Sequence, residues 1–165
     1  PEAQLDRFLF KLVVGYPSES DYKEILRRTT GGADVDLKAV SKGKTINKLR
    51  KIVRSVPVPE HVEDHAVRMV MGTQPNSRYA PGLVNRFVAL GSSPRGAQAL
   101  LLGGKVKALL AGRFSVAVED LQAVALPVLR HRVLLNFEGL SEGVTPERIV
   151  EEVQRSVESS SSAHA

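Results

Sequence analysis

Gly43-Lys44-Thr45 is the first group with chemistry in its residue types, because a lysine between glycine and threonine closes phosphate-binding loops. The full loop needs a glycine five residues before Gly43, and Lys38 stands there. Without a glycine-rich turn the backbone N–H groups cannot curl around a phosphate. Lys42, Lys44, Lys48, Arg50, Lys51 and Arg54 form a basic run with no acid between residues 41 and 55. On a helix this run meets DNA phosphates, meets an acidic partner, or is a solvated face. His61 and His65 are four apart and could share a metal, but Glu63 is one residue late for a zinc-protease glutamate. They read as a surface pair, and no metal site is assigned.

Two arginines are more informative. Gly91-Ser92-Ser93-Pro94-Arg95-Gly96 reads as a helix start, with Ser93 as N-cap and Pro94 at the first helical position. A cation in that first turn opposes the helix dipole. Arg95 makes sense there if an anion is present, since backbone N–H groups and guanidinium would converge on it; the alternative is an exposed arginine tolerated at small cost. Arg7 follows Asp6 just before an apolar run. It sits either at a functional strand edge or in a local ion pair with Asp6 or Glu2.

The elements that must position these residues are mostly helical. Residues 8–14, Phe-Leu-Phe-Lys-Leu-Val-Val, read as a strand buried on both faces, yet no βαβ rhythm follows. The chain opens at Pro1 and not at methionine, so residues 1–16 read as the last piece of an α/β domain; the alternative is a strand pairing in a small local hairpin. Beyond them the spacing predicts a helix after Ser18, ended by Gly31-Gly32. A basic helix follows, broken by Val56-Pro57-Val58-Pro59, and then a helix over 60–72. Leu102, Val106, Leu109 and Leu110 mark a helix after Ser93. Leu121, Val124, Ala125 and Val128 mark another, kinked at Pro127, and Thr145-Pro146 opens the last. Gly103-Gly104 inside the first of these should cost about 1 kcal/mol each relative to alanine. Residues 159–165 read as a frayed tail.

Composition narrows the functions. The 165 residues include no cysteine, which excludes disulfide scaffolds, thiolate metal sites and cysteine nucleophiles. The net charge of +5 suits an anionic ligand without saying which. Tryptophan is absent and aromatics are 5%, so a base-stacking platform is not expected. No apolar run reaches 18 residues, and no nucleophile elbow surrounds a serine.

Pro1-Glu2-Ala3-Gln4-Leu5-Asp6-Arg7-Phe8 resembles the segment closing the ATPase core of MoxR-type AAA+ proteins. Gly91-Ser92-Ser93-Pro94-Arg95 resembles the sensor 2 motif of their lid. Leu110-Ala111-Gly112-Arg113-Phe114-Ser115-Val116 and Val128-Leu129-Arg130-His131-Arg132 resemble further lid motifs. These marks occur in the family's order and span residues 1 to about 155. Gly96 and Gly103-Gly104 depart from the better helix formers usual there, and Walker A, Walker B and sensor 1 are absent.

The resemblance implies a mainly α chain: residues 1–16 as the edge of the core with an orphan strand, a helical-bundle lid over 17–158, and a disordered tail over 159–165. It implies that Arg7 is the arginine finger, acting on a neighbouring subunit's ATP. Arg95 is the sensor 2 arginine on nucleotide phosphate, with Ser93 and Pro94 shaping its turn. ATP and Mg2+ would belong to the full-length parent, and this fragment alone would bind neither tightly nor hydrolyse ATP. The family implies a homo-oligomeric, hexameric ring with chaperone-like remodelling of partner complexes, von Willebrand factor A-domain proteins among them. It also implies a cytoplasmic location and no membrane or nucleic-acid partner. The rival readings are a non-enzymatic helical interaction module and a DNA-binding domain built on the basic run 42–54.

Overall fold

The computed structural model describes residues 2–32 and 37–162. Two compact units emerge: residues up to 11 together with those from 51 onward, and residues 12–50.

In the second unit, helix α2 (Glu19–Thr30) is held by its ends and its surface. Ser18 Oγ accepts from Asp21 N at 3.3 Å while Asp21 Oδ2 accepts from Ser18 N at 3.0 Å, a reciprocal capping box. Glu19–Lys23 and Glu24–Arg28 pair one turn apart. Neither α2 nor α3 (Gly43–Ser55), which runs across the 50/51 boundary, buries a residue.

The first unit opens with a single turn, α1 (Glu2–Leu5). Its body is a bundle of α4 (Glu60–Gly72), α6 (Pro94–Leu110), α7 (Val118–Leu129) and α9 (Pro146–Ser162). Each long helix turns one apolar stripe inward. Met69 and Val62 of α4, Leu100 of α6, Leu121 and Val128 of α7, and Ile149 and Val153 of α9 are fully buried together. Short α5 (Gly82–Phe87) and α8 (Phe137–Ser141) pack on each other beside it. Strands β1 (Val88–Leu90) and β2 (Leu134–Leu135) pair antiparallel, Val88 against Leu135 and Leu90 against Leu134.

Glycines 103 and 104 are needed where they stand. A Cβ on Gly104 would lie 2.8 Å from Leu121 Cδ2 and 3.1 Å from Val116 Cγ1; one on Gly103 would lie 3.2 Å from Val124 Cγ2. Their propensity penalty is the cost of bringing α6 close against α7.

Residues 8–14 form no strand. A strand exists through its ladder, and these groups find other partners. The carbonyls of Phe8 and Leu9 accept from Arg132, and Lys11 N donates to Pro127 O at 2.9 Å. Leu12, Val13 and Val14 are exposed, as are Phe8 and Leu9. The tail expectation also shifts. Helix α9 continues through Ser162, and Ser159 Oγ donates to Ser156 O within its last turns. Residues 163–165 lie outside the described residues.

Candidate functional site

The C-terminus of α7 explains how the site forms. The last four carbonyls of a helix lack partners within it. Here Leu126 O accepts from Arg130 N, Pro127 O from Lys11 N, Val128 O from the Arg132 guanidinium, and Leu129 O from Arg132 N. Two of these four donors draw in material from outside the helix, so the helix end captures residues 6–11. The cationic Arg132 also complements the negative end of the helix dipole.

Asp6 is the hub. Its Oδ1 accepts from Arg132 Nε at 3.1 Å, and its Oδ2 accepts from Ser93 Oγ at 2.8 Å and from Arg95 Nη1 at 3.1 Å. Arg132 Nη2 also donates to the carbonyls of Asp6 at 3.0 Å and Phe8 at 2.7 Å. Burial alone would raise the Asp6 carboxyl. The Ser93 hydroxyl and the Arg95 and Arg132 guanidiniums outweigh it and hold the group below the usual carboxylate range. Arg132 is pushed down by burial against the opposing pull of Asp6.

The Ser93 cap is fixed from the other side. Thr73 Oγ1, itself bonded to Val70 O, accepts from Ser92 N at 2.9 Å, and Gln74 Nε2 donates to Ser92 O at 2.8 Å. Ser93 then caps α6, its Oγ accepting from Arg95 N at 3.2 Å, with Pro94 at the helix start. A Cβ on Gly96 would strike Ser92 Oγ, so the glycine lets this turn close. Arg95 stands on the rim of an open cleft of about 840 Å3, lined also by Asp6, Asn76, Leu90, His131 and Arg132. Its side chain is half exposed, and its Nε and Nη2 make no hydrogen bond among the described residues.

The structure therefore brings Ser93 and Arg95, with Pro94 between them, to Asp6. The anion at Arg95 that the sequence calls for is, in this chain, the carboxylate of Asp6. Arg7 does not pair with Asp6; its side chain is exposed and makes no ion pair or hydrogen bond among the described residues. The basic run is exposed on and beside α3, with no ion pair among the described residues. Gly43-Lys44-Thr45 opens that helix, and residues 37–42 before it form no strand. His65 is a correction: it is buried on the inner face of α4, not paired at the surface with His61.

Asp6 as hub, Arg132 and His131 were not singled out as site residues from sequence. The available signal was Arg130-His131-Arg132 at a helix C-terminus, where cations and carbonyl-seeking donors concentrate. His131 Nε2 lies 3.0 Å from Phe8 O, which can only accept, so the proton is on Nε2. Its Nδ1 is buried without a hydrogen-bond partner among the described residues.

Burial lowers the His65 and His131 pKa values, His131 against the opposing Phe8 bond. A histidine lowered in the fold contributes stability that is complete above its unfolded pKa of about 6.5 and is lost as pH falls through the folded value. Asp6 and Asp120 act in the same direction further down, Asp120 being lowered chiefly by Arg113. Thermal midpoints should therefore fall between about pH 7.5 and pH 5; a midpoint that rises over that interval contradicts the assignment.

Residues 82–153 match the AAA lid domain family. The chain is 34% identical to the chaperone MoxR1 of Mycobacterium tuberculosis over 95% of its length, covering 41% of that protein. It is 35% identical to the uncharacterised protein YeaC of Bacillus subtilis, again over 95% of its length and covering 47% of that protein. A crystal structure of a proposed ATPase from Cytophaga hutchinsonii superposes with a TM-score of 0.83 at 27% identity, over 94% of this chain and 48% of that one. The chain thus spans less than half the length of each of these relatives.

Proposed function

We propose that this chain, a MoxR-type AAA+ homologue whose residues 82–153 form an AAA lid domain, is the lid portion of a ring-forming ATPase in which Arg95 reads nucleotide phosphate and Arg7 reaches a neighbouring subunit's ATP. One observation carries the reading. A carboxylate already sits between Ser93 Oγ, Arg95 and Arg132 at the N-terminal end of a 17-residue helix. That corner is built for an anion, and the uncommitted Nε and Nη2 of Arg95 leave it two donors for another. In this reading ATP, with Mg2+, is gripped by polypeptide outside these 165 residues, and the lid supplies the guanidinium that senses its phosphates.

The residues then have separate tasks. Ser93 and Pro94 set the first turn of α6 so that Arg95 leaves it toward the cleft. Asp6 holds one edge of Arg95 and frees the other. Arg7 brings positive charge to the transferring phosphoryl group, where charge develops. Remodelling of partner proteins, sketched from the chaperone relative, would follow from lid movement between nucleotide states. A cytoplasmic ring with von Willebrand factor A-domain partners belongs to the same proposal.

Arg95→Ala in the assembled ATPase tests it. A hydrogen bond to a charged group is worth roughly 1.5–3 kcal/mol, so nucleotide affinity should weaken by about tenfold or more. An unchanged ATP response sinks the sensor reading and favours a plain interaction domain. Salt-sensitive DNA binding lost on neutralising Lys48, Arg50 and Lys51 would favour the nucleic-acid rival.

A further inference from the structure

We propose that Arg132 is the positioning residue for Arg7, acting through a clamp on the backbone at both sides of it. The inference rests on the reading of Arg7 as a finger. The Arg132 side chain is 2% exposed. It donates to the carbonyls of Asp6 and Phe8, the two neighbours of Arg7, reaches Leu9 O at 3.4 Å, and holds the Asp6 carboxylate through Nε. His131 Nε2 adds a second donor to Phe8 O. The residue between these anchors, Arg7, has an exposed side chain with no partner among the described residues.

Fixed backbone with a free cation is what a finger needs. The side chain must enter another subunit's site from a defined origin, and a misplacement of about 1 Å can cost 10²-fold in rate. Only a planar fork serves several acceptors in fixed directions at once; an ammonium on a flexible stem does not. The clamp is anchored because Arg132 stands in the turn that ends α7, its own N–H bonded to Leu129 O, and the Pro127 carbonyl of that helix also takes Lys11 N. Through Asp6 the clamp touches Arg95 as well. Phosphate contact at Arg95 and the setting of Arg7 therefore share one carboxylate.

The test uses the complete ATPase of which this chain is the lid portion. Arg132→Lys keeps the charge and loses the fork; kcat should fall about 10²-fold with KM for ATP changed by less than about twofold. Amide exchange at Phe8 to Phe10 should accelerate while helix content is retained. The double variant Arg7→Ala/Arg132→Lys should turn over no more slowly than Arg7→Ala alone, because both act through one group. A wild-type kcat in Arg132→Lys, or losses that multiply in the double variant, overturns the clamp and leaves the finger standing. A wild-type kcat in Arg7→Ala overturns the finger, and the clamp's purpose with it. Should Arg132→Lys not fold, Asp6→Asn decides. It keeps the carbonyl contact, removes the shared charge, and should lower kcat roughly tenfold; an unchanged kcat counts against the proposal.

Discussion

Arg7→Ala in an ATPase assembled with its nucleotide-binding core should lose about 10³- to 10⁵-fold in turnover. ATP affinity should stay within about twofold of the parent, because a group that acts on developing charge lowers kcat and not ground-state binding. The side chain is exposed and unpaired among the described residues, so its removal should shift stability by no more than about 0.5 kcal/mol. That separation is useful. Arg95 and Arg132, by contrast, cannot be changed without removing hydrogen bonds that they make to residues 6–9. Arg7 can, and a lost rate with an unmoved thermal midpoint has no structural explanation. Mixing two defective subunits adds a second reading: rings of Arg7→Ala subunits with subunits that cannot bind ATP should recover turnover if the finger acts across an interface, whereas a residue acting in its own subunit should leave every mixed ring inactive. Parental turnover in pure Arg7→Ala rings would remove the finger assignment.

The local parts of this architecture were legible because they are written in adjacent residues. Ser18 with Asp21, and Ser93 with Pro94, mark helix starts by side chains that reach no further than a turn, and the structure starts α2 and α6 there. Helix α4 is found over 60–72 as read, bounded by the Val-Pro-Val-Pro break. What was not legible depends on partners far away in sequence. Asp6 meets Arg132 across 126 positions and Arg95 across 89, and no spacing rule connects them. The apolar run 8–14 has strand composition, but its outcome was decided by which groups were present to bond it. The free carbonyls and the guanidinium at the end of α7 took that role. His65 shows the same limit: Val62, Ala66, Met69 and Val70 mark the inner face of α4 in the sequence, but that the face takes in His65 as well depended on the helices packed against it. Arg95 stands out by a rule about charge and dipoles, and that rule predicts a nearby anion without saying that the chain carries it in Asp6.

The two glycines inside α6 reverse a sequence-based expectation, and Gly104→Val exposes the reversal most sharply. By helix propensity alone, replacing a mid-helix glycine gains stability, about 1 kcal/mol for alanine and less for a β-branched residue. The packing opposes this. The first added carbon would sit 2.8 Å from Leu121 Cδ2 and 3.1 Å from Val116 Cγ1, and neither neighbour has room to retreat: Leu121 is 0% exposed and Val116 2%. Valine adds two methyl groups on the same side of the helix. Overpacking of this kind costs about 1–3 kcal/mol, at roughly 2–4 °C of thermal midpoint per kcal/mol in a chain of this size. Gly43→Ala is the control. Its Cβ would meet nothing within 4 Å at the exposed start of α3, and its midpoint should stay where it is. Because Asp120, on the α7 face opposite Gly104, also caps that helix and holds Arg113, a valine here should loosen the α6–α7 contact before it touches the Asp6 corner. A Gly104→Val protein as stable as the parent would mean that the helices do not approach as closely as the glycines allow.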